Sequence, residues 1–185
     1  ESFDGTGYPD GLTGSNIPFE ASLIKVADVY DALTKRRQYK EGYKQTKALE
    51  IMIEDAKKGK MSARIMLYLL RALQREMTEN ILVHEKNVEQ YMENLATLHE
   101  LESIYKYIYD RGYTDKARKM LSKYDLPAGY DMSTNANLLI NKQKALEKEK
   151  EWLEFCKEEL KVMKKQEAEL YRIAKKEDWY PNKKY

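Results

Sequence analysis

Apolar residues recur at alternating spacings of three and four along much of the chain after residue 20, and this pattern constrains the fold most strongly. One such row consists of Ile81, His84, Val88, Tyr91, Leu95 and Leu98. Later in the chain, two companion rows with a spacing of seven are Leu146, Leu153, Leu160 and Cys156, Met163, Leu170. Such spacing, flanked by Lys and Glu, is typical of helices that pack along a coiled-coil seam. Since no segment alternates with the period of a strand, the fold class predicted is all-α.

Local signals predict where the helices begin and end. A buried helix of about four turns begins at Glu20, and a second covers residues 46–58. A third begins near Ser62, a favourable N-cap, and runs on until Gly112 breaks it. Helices are further predicted over residues 115–123 and 134–176, the last folding back on residues 77–110 as an antiparallel hairpin. We expect two domains, residues 1–75 and a helical extension over residues 76–185.

Composition excludes several classes of protein. The single cysteine, Cys156, excludes a disulfide framework, and two histidines, His84 and His99, are too few for a histidine-rich metal site. The formal charge of +2 gives no electrostatic reason to expect a nucleic acid partner or an anionic membrane. No apolar run is long enough to span a bilayer, and no secretory signal is visible, so we expect a cytoplasmic protein. His84, His99 and Cys156 are interpreted as packing or surface residues.

The segment with most chemical content is a glycine-rich loop followed by the first helix. Asp28 and Asp31 lie three residues apart on that helix and therefore share a face. A carboxylate on a mostly buried helix is costly unless it is paired or binds a cation, and such oxygens suit hard or borderline metals. Arg37 and Lys40 follow and are suited to hold a phosphate. Taken singly, Asp28 also fits a lysine-paired core residue and Asp31 a solvated one.

Together these residues resemble the C-terminal half of the HD-GYP domain, the bacterial cyclic di-GMP phosphodiesterase branch of the HD phosphohydrolases. Glu1 stands at the glutamate of its His-His-Glu motif, and the loop that follows reads DGTGYPDGLTGSNIP. The helix then carries VADVYDALT from Val26, followed by Arg37, Tyr39 and Lys40, without a gap in spacing. This long composite motif covers roughly residues 1–75. The fold it implies is the C-terminal part of an HD-type helical domain, followed by a long coiled-coil-like extension.

The resemblance also implies roles for individual residues. Asp28 corresponds to the last ligand of a site that holds two or three divalent metal ions, often iron or manganese. Asp31, Arg37 and Lys40 correspond to residues that contact cyclic di-GMP, and Tyr8 of the Gly7-Tyr8-Pro9 motif flanks the same pocket. In this family a metal-bound water or hydroxide attacks the phosphodiester. The implied protein is a bacterial signalling hydrolase.

The chain departs from the family pattern in two minor ways and one major way. Ser22 replaces a frequent arginine, and Arg36-Arg37-Gln38-Tyr39 replaces Asp-Arg-Pro-Tyr. More seriously, the family's His, His-Asp and His-His ligands would all precede Glu1. One carboxylate cannot hold a two-metal centre, so we expect a fragment that carries no catalytic residue of its own and is inactive. Residues 1–75 would then expose apolar faces.

From sequence alone, two functions remain open besides that of a phosphodiesterase fragment. The first is a non-catalytic module that binds cyclic di-GMP or a protein partner and uses the extension for signalling. A weaker hypothesis keeps the metal chemistry and changes the substrate to another nucleotide or phosphoester. The extension carries no catalytic motif, and its seams fit an intramolecular hairpin, a homodimer or a helical partner. Trp152 and Trp179 are predicted to be packing anchors.

Overall fold

A computed structural model describes residues 1–35 and 42–177 of the chain. These residues form five α-helices and no β-strand, which confirms the all-α prediction for the described part of the chain. The helices are α1 (Phe19–Thr34), α2 (Gln45–Lys57), α3 (Ala63–Arg111), α4 (Asp115–Leu121) and α5 (Met132–Ala174), preceded by a short 3-10 helix (Gly14–Asn16). None of the helices in the described ranges has a stretch long and apolar enough to cross a membrane.

The helix ends follow the local signals closely. The Ser62 hydroxyl accepts a hydrogen bond from the Ile65 N–H (3.4 Å), as expected of an N-cap of α3. Gly112 follows the last residue of α3 with a φ of 79°, a left-handed conformation that glycine adopts without steric cost. α5 begins at Met132, two residues before the predicted start, because the Asp131 carboxylate accepts from the Thr134 N–H (2.7 Å).

The chain divides into two compact units. The first comprises Glu1–Glu79 together with Cys156–Tyr185, and the second comprises Asn80–Phe155. The core of the first unit contains side chains of α2, α3 and α5 that are almost completely buried: Leu49, Met52, Ile65, Met66, Leu70, Met163 and Leu170. The predicted domain boundary at residues 75 and 76 was based on sequence resemblance rather than on contacts, and it stays a prediction.

The second unit is built from the later part of α3, α4 and the first part of α5. Its small core consists of Leu95, Leu98, Leu101 and Leu139. The buried Asn135 side chain donates to the Leu98 carbonyl (3.0 Å) and accepts from the Tyr130 hydroxyl (2.7 Å). Further along, His84 Nδ1 lies 2.7 Å from Glu149 Oε1. These two contacts, 98 with 135 and 84 with 149, show that α3 and α5 run antiparallel within this unit.

The residues interpreted as packing or surface groups are found in such environments, with one exception. His84 contacts Glu149, His99 is exposed and lies 3.3 Å from Glu102, and Cys156 is buried. The exception is Trp152, predicted to be a packing anchor, which is 51% exposed because it lies one position beside the buried seam residue Leu153. Its ring stacks on Phe155 instead. Trp179 lies outside the described residues.

Candidate functional site

The glycine-rich loop is held closed by the first residue of the chain. One carboxylate oxygen of Glu1 accepts the Asp10 N–H (2.7 Å), and the other accepts the Leu12 N–H (3.0 Å). The hydrogen bond from Asp10 is the main cause that lowers the pKa of the Glu1 carboxyl below its ordinary value. Glu1 therefore fixes the backbone directly after the Gly-Tyr-Pro turn by charge-assisted hydrogen bonds.

A second carboxylate and a glycine shape the same loop. Asp4 accepts hydrogen bonds from the Thr6 hydroxyl (2.7 Å) and the Thr6 N–H (3.0 Å), and these lower the pKa of Asp4 to about 2. Gly7 packs directly on the backbone that follows Glu1: a Cβ at this position would lie 2.1 Å from the Ser2 nitrogen. The motif therefore requires glycine at position 7 for close approach of two backbone segments.

Tyr8 stands at the tip of this ordered loop. Its side chain is 87% exposed, and the Tyr8–Pro9 peptide bond is cis. An aromatic ring held in the open on a fixed backbone is available to contact a planar ligand. This placement is compatible with the role that the resemblance implies for Tyr8, and that role stays a prediction.

α1 has one buried face and one open face. Ser22 and Val26 are buried, whereas Leu23 is 44% and Ile24 is 59% exposed. Asp28 and Asp31 are exposed as well. The expectation that Asp28 sits on a mostly buried helix is therefore wrong for the described residues, since the elements that pack on α1 cover only the Ser22 and Val26 side. The expected exposure of apolar side chains is found on the other side.

The open face of α1 is linked to the loop. The Lys25 ammonium donates to the Glu1 carbonyl (2.9 Å), and Lys25 lies three residues before Asp28 on the same helix. Asp31 pairs with Lys35 at 3.4 Å, but both side chains are about two-thirds exposed, so the pair contributes little. Glu1, Lys25 and α1 thus fix the loop that carries Tyr8 to the helix that carries Asp28.

Two predicted site residues, Arg37 and Lys40, lie outside the described residues. Sequence reasoning identified Glu1 only as a motif position and did not find Lys25 at all. A signal for Glu1 was available, because a carboxylate before a turn-rich loop is a common acceptor for loop N–H groups. Lys25 gave no signal, since its partner is a backbone carbonyl 24 residues away.

The described residues do not by themselves fit a metal centre. Within residues 1–35 and 42–177, no three His, Cys, Asp or Glu side chains are grouped so as to hold a metal ion. Asp28 offers one carboxylate, and Asp31 is paired with Lys35. The two histidines belong to the other compact unit, where each contacts a glutamate. We therefore derive no chemical step through a metal from these residues.

Comparison with known families agrees with the class that the loop and α1 indicate. Residues 1–65 match the HD domain family. The N-terminal part of the chain is thus similar to HD domains, and the resemblance to the HD-GYP branch is confirmed for that part.

Relatives of known name point the same way. The chain is 48% identical over 61 residues to the cyclic di-GMP phosphodiesterase response regulator RpfG of Xanthomonas campestris, which is 33% of this chain and 16% of that protein. It is 36% identical over 73 residues to the cyclic di-GMP phosphodiesterase PdeB of Borreliella burgdorferi, covering 40% of this chain and 19% of the relative. A 3'3'-cGAMP-specific phosphodiesterase of Vibrio cholerae is 32% identical over 71 residues, or 38% of this chain and 16% of its own length.

The chain spans less than a fifth of the length of these relatives. No solved structure matches it. The similarity is therefore limited to the N-terminal part of the chain.

Proposed function

We propose that this chain is part of a metal-dependent phosphodiesterase that hydrolyses cyclic di-GMP. The observation that carries the proposal is the motif between Glu1 and Lys40, which lies in the part of the chain that is similar to relatives named as cyclic di-GMP phosphodiesterases. The match to the HD domain supports hydrolase chemistry at the level of the family. The proposed location of the activity is the cytoplasm.

In this proposal the described residues have separate roles. Asp28 supplies one carboxylate ligand from the open face of α1, and elements outside this chain supply the remaining ligands. Carboxylate oxygens combined with imidazoles suit iron and manganese, which are the metals we propose. Two or three ions are proposed for the complete site.

The substrate-binding residues proposed are Tyr8, Asp31, Arg37 and Lys40. The open ring of Tyr8 offers a stacking surface for a guanine base. Arg37 and Lys40 offer positive charge for the phosphates of cyclic di-GMP. An arginine binds a phosphate by paired hydrogen bonds, and a lysine binds it as a point charge. Within residues 1–35 and 42–177, Asp31 makes an exposed ion pair with Lys35, which a ligand would displace at little cost.

The chain alone is proposed to be inactive, because Asp28 is the one metal ligand proposed among its described residues and no three such side chains are grouped there. The test compares residues 1–185 with the complete gene product, each incubated with cyclic di-GMP and either Mn²⁺ or Fe²⁺, with products separated by chromatography. We expect linear dinucleotide or GMP from the complete protein and none from residues 1–185. Intact cyclic di-GMP after incubation with the complete, metal-loaded protein would contradict the proposal.

A non-catalytic module is the second candidate. It is favoured by the lack of any three grouped metal-binding side chains in residues 1–35 and 42–177. Such a module would bind cyclic di-GMP or a protein partner and use the helical unit for signalling, as a homodimer or with a helical partner. Equilibrium dialysis with cyclic di-GMP distinguishes the two, since binding without turnover by the complete protein supports the module.

A related nucleotide is the third possibility, since some relatives are named as 3'3'-cGAMP-specific phosphodiesterases. Both cyclic dinucleotides present two phosphates and at least one guanine, so the same loop and cations would serve either. Turnover of each nucleotide by the complete protein, compared as kcat/KM, decides between them.

A further inference from the structure

The last part of α5 packs into the same compact unit as the HD-like segment, residues 1–65. Within Cys156–Tyr185, the buried described side chains are Cys156, Met163, Gln166, Leu170 and Ala174. Their spacings of seven, three and four put them on one helix face. This face therefore belongs to the core of the unit that contains α1 and α2, although it is more than 100 residues away in sequence.

Polar contacts fix the position of this face at its N-terminal end. The Thr46 hydroxyl donates to the Glu159 carboxylate (3.0 Å), and Gln166 Nε2 donates to the Thr46 carbonyl (2.7 Å). Thr46 is the second residue of α2. α5 therefore contacts the first turn of α2 through both the side chain and the backbone of Thr46. These hydrogen bonds are partly buried, and losing one is costly because the remaining partner stays partly desolvated.

A second set of contacts lies at the C-terminal end. The Glu177 carboxylate accepts from the Ser62 hydroxyl (3.0 Å) and from the Arg64 N–H (3.3 Å), and also from the Ala63 N–H. These groups are at the start of α3, where N–H groups have no partner within the helix and negative charge is favoured. Glu177 thus caps a helix that begins 114 residues earlier.

Between these ends, two more glutamates of α5 contact α2 and α3. Glu167 accepts from Arg71 (2.8 Å) and from Gln74 (3.1 Å), and Glu169 pairs with Lys57 (2.7 Å). Four glutamates of one segment therefore contact α2 or α3: Glu159, Glu167, Glu169 and Glu177. A single exposed ion pair contributes little. Four such contacts beside a buried apolar face together fix how the segment is aligned along α2 and α3.

The electrostatic environment of α1 includes the segment. Burial, together with the Glu76 and Glu159 carboxylates, raises the pKa of Tyr30 on α1 to about 12. α1 packs on α2, and α2 is held by α5 through Thr46. The contacts continue from Glu159 through α2 to the helix that carries Asp28.

We infer that residues 156–177 form an internal clasp, a docked segment whose contacts at Thr46 and at the start of α3 hold α1 and α2 in place. The C-terminal part of the extension then stabilises the unit that contains the HD-like segment, and it is not a separate helix that serves only to bind a partner. The consequence for Asp28 rests on the proposed function, whereas the clasp itself does not.

Cys156 provides a direct probe, because it is the single cysteine and is 1% exposed. In the full chain we would measure thiol labelling of Cys156 and amide hydrogen exchange of residues 19–34. Thr46→Val removes the hydroxyl that donates a hydrogen bond to Glu159. Glu177→Ala removes the carboxylate that caps α3. We expect each to speed Cys156 labelling by about tenfold and to speed exchange in α1, since both raise the population of the open segment.

The controls repeat the same changes at residues outside the hydrogen bonds of Thr46 and Glu177 that join residues 156–177 to α2 and to the start of α3. Among the described residues, Thr97 donates to the Glu93 carbonyl of its own helix and Glu158 accepts from Lys161, so Thr97→Val and Glu158→Ala should behave as wild type. Thr46→Ser keeps the hydroxyl and should restore slow labelling, which separates loss of the bond from misfolding of Thr46→Val.

Unchanged labelling in both clasp variants would overturn the inference. Fast labelling with unchanged exchange in α1 would also overturn it, because the segment would then open without affecting the Asp28 helix. Absence of cyclic di-GMP hydrolysis by a complete protein whose clasp passes these tests would count against the proposed function alone.

Discussion

At the scale of single residues, the conformation of the glycine-rich loop depends on Gly7 and on the Glu1 carboxylate. Gly7 lies against the backbone of Glu1 and Ser2, and the Glu1 carboxylate uses both oxygens on loop N–H groups. Tyr8 is therefore presented on a backbone that is fixed on both sides.

Gly7→Ala tests this packing. The added Cβ would lie 2.1 Å from the Ser2 nitrogen, so the backbone must move. We expect a loss of about 1–3 kcal/mol in the free energy of unfolding, the usual cost of inserting a methyl group into a packed site. Urea denaturation measures it, with Ser15→Ala at an exposed loop position as the control. Equal stability of the two variants would contradict the structure of the loop.

Asn135 has a comparable role in the second unit. It is 1% exposed and bonds both the Leu98 carbonyl and the Tyr130 hydroxyl. Asn135→Ala removes both hydrogen bonds and takes from the Tyr130 hydroxyl this acceptor, and we expect a loss of about 1–3 kcal/mol. The exposed Asn137→Ala on the same helix should cost far less. A similar urea midpoint for both variants would show that the Asn135 bonds are not formed.

At the scale of elements, two helices of the hairpin are joined by a pair that depends on pH. The Glu149 carboxylate accepts from His84 and Asn87, and these contacts lower the pKa of Glu149 below its ordinary value of 4.5. A lowered folded-state pKa means that the stabilisation is present above the unfolded-state pKa and is lost as pH falls through the folded-state pKa.

Glu149→Gln should therefore destabilise the chain at neutral pH and become indistinguishable from wild type in acid, below the lowered pKa. Thermal unfolding followed by circular dichroism across that range measures the difference. Glu147→Gln, at an exposed position of the same helix, is the matched control. A gap between wild type and Glu149→Gln that is constant with pH would contradict the assigned pair.

The elements also show what could be predicted from sequence. The bounds of α1 to α4 follow from nearby residues such as Ser62 and Gly112, whose effects are local. The Glu159 contact with Thr46 spans 113 residues, and no periodicity encodes such a partner. Asp28 was correctly placed on a helix beside Asp31, but its exposure depends on which elements pack on α1, and periodicity alone gave the opposite result.

At the scale of the whole molecule, the chain carries an open apolar patch on α1, formed by Leu23 and Ile24, beside exposed Asp28. Apolar patches of this kind promote association. We expect the isolated chain to associate in a concentration-dependent way, and Ile24→Lys to reduce association while leaving the unfolding temperature nearly unchanged. Light scattering measures this, and Ala72→Lys adds the same charge on α3 as a control. Association unaffected by Ile24→Lys would mean that another surface causes it.

The proposed role of Asp28 as a metal ligand of a cyclic di-GMP phosphodiesterase is tested most directly with the complete protein. Metal content and hydrolysis should be measured together for wild type, Asp28→Asn and Glu20→Gln, the last being an exposed carboxylate on the same helix. Since changes merely next to metal ligands cost about 10–100-fold, we expect Asp28→Asn to lose bound metal and at least about 100-fold in kcat/KM. Glu20→Gln should match wild type. Wild-type metal content and turnover in Asp28→Asn would contradict the account.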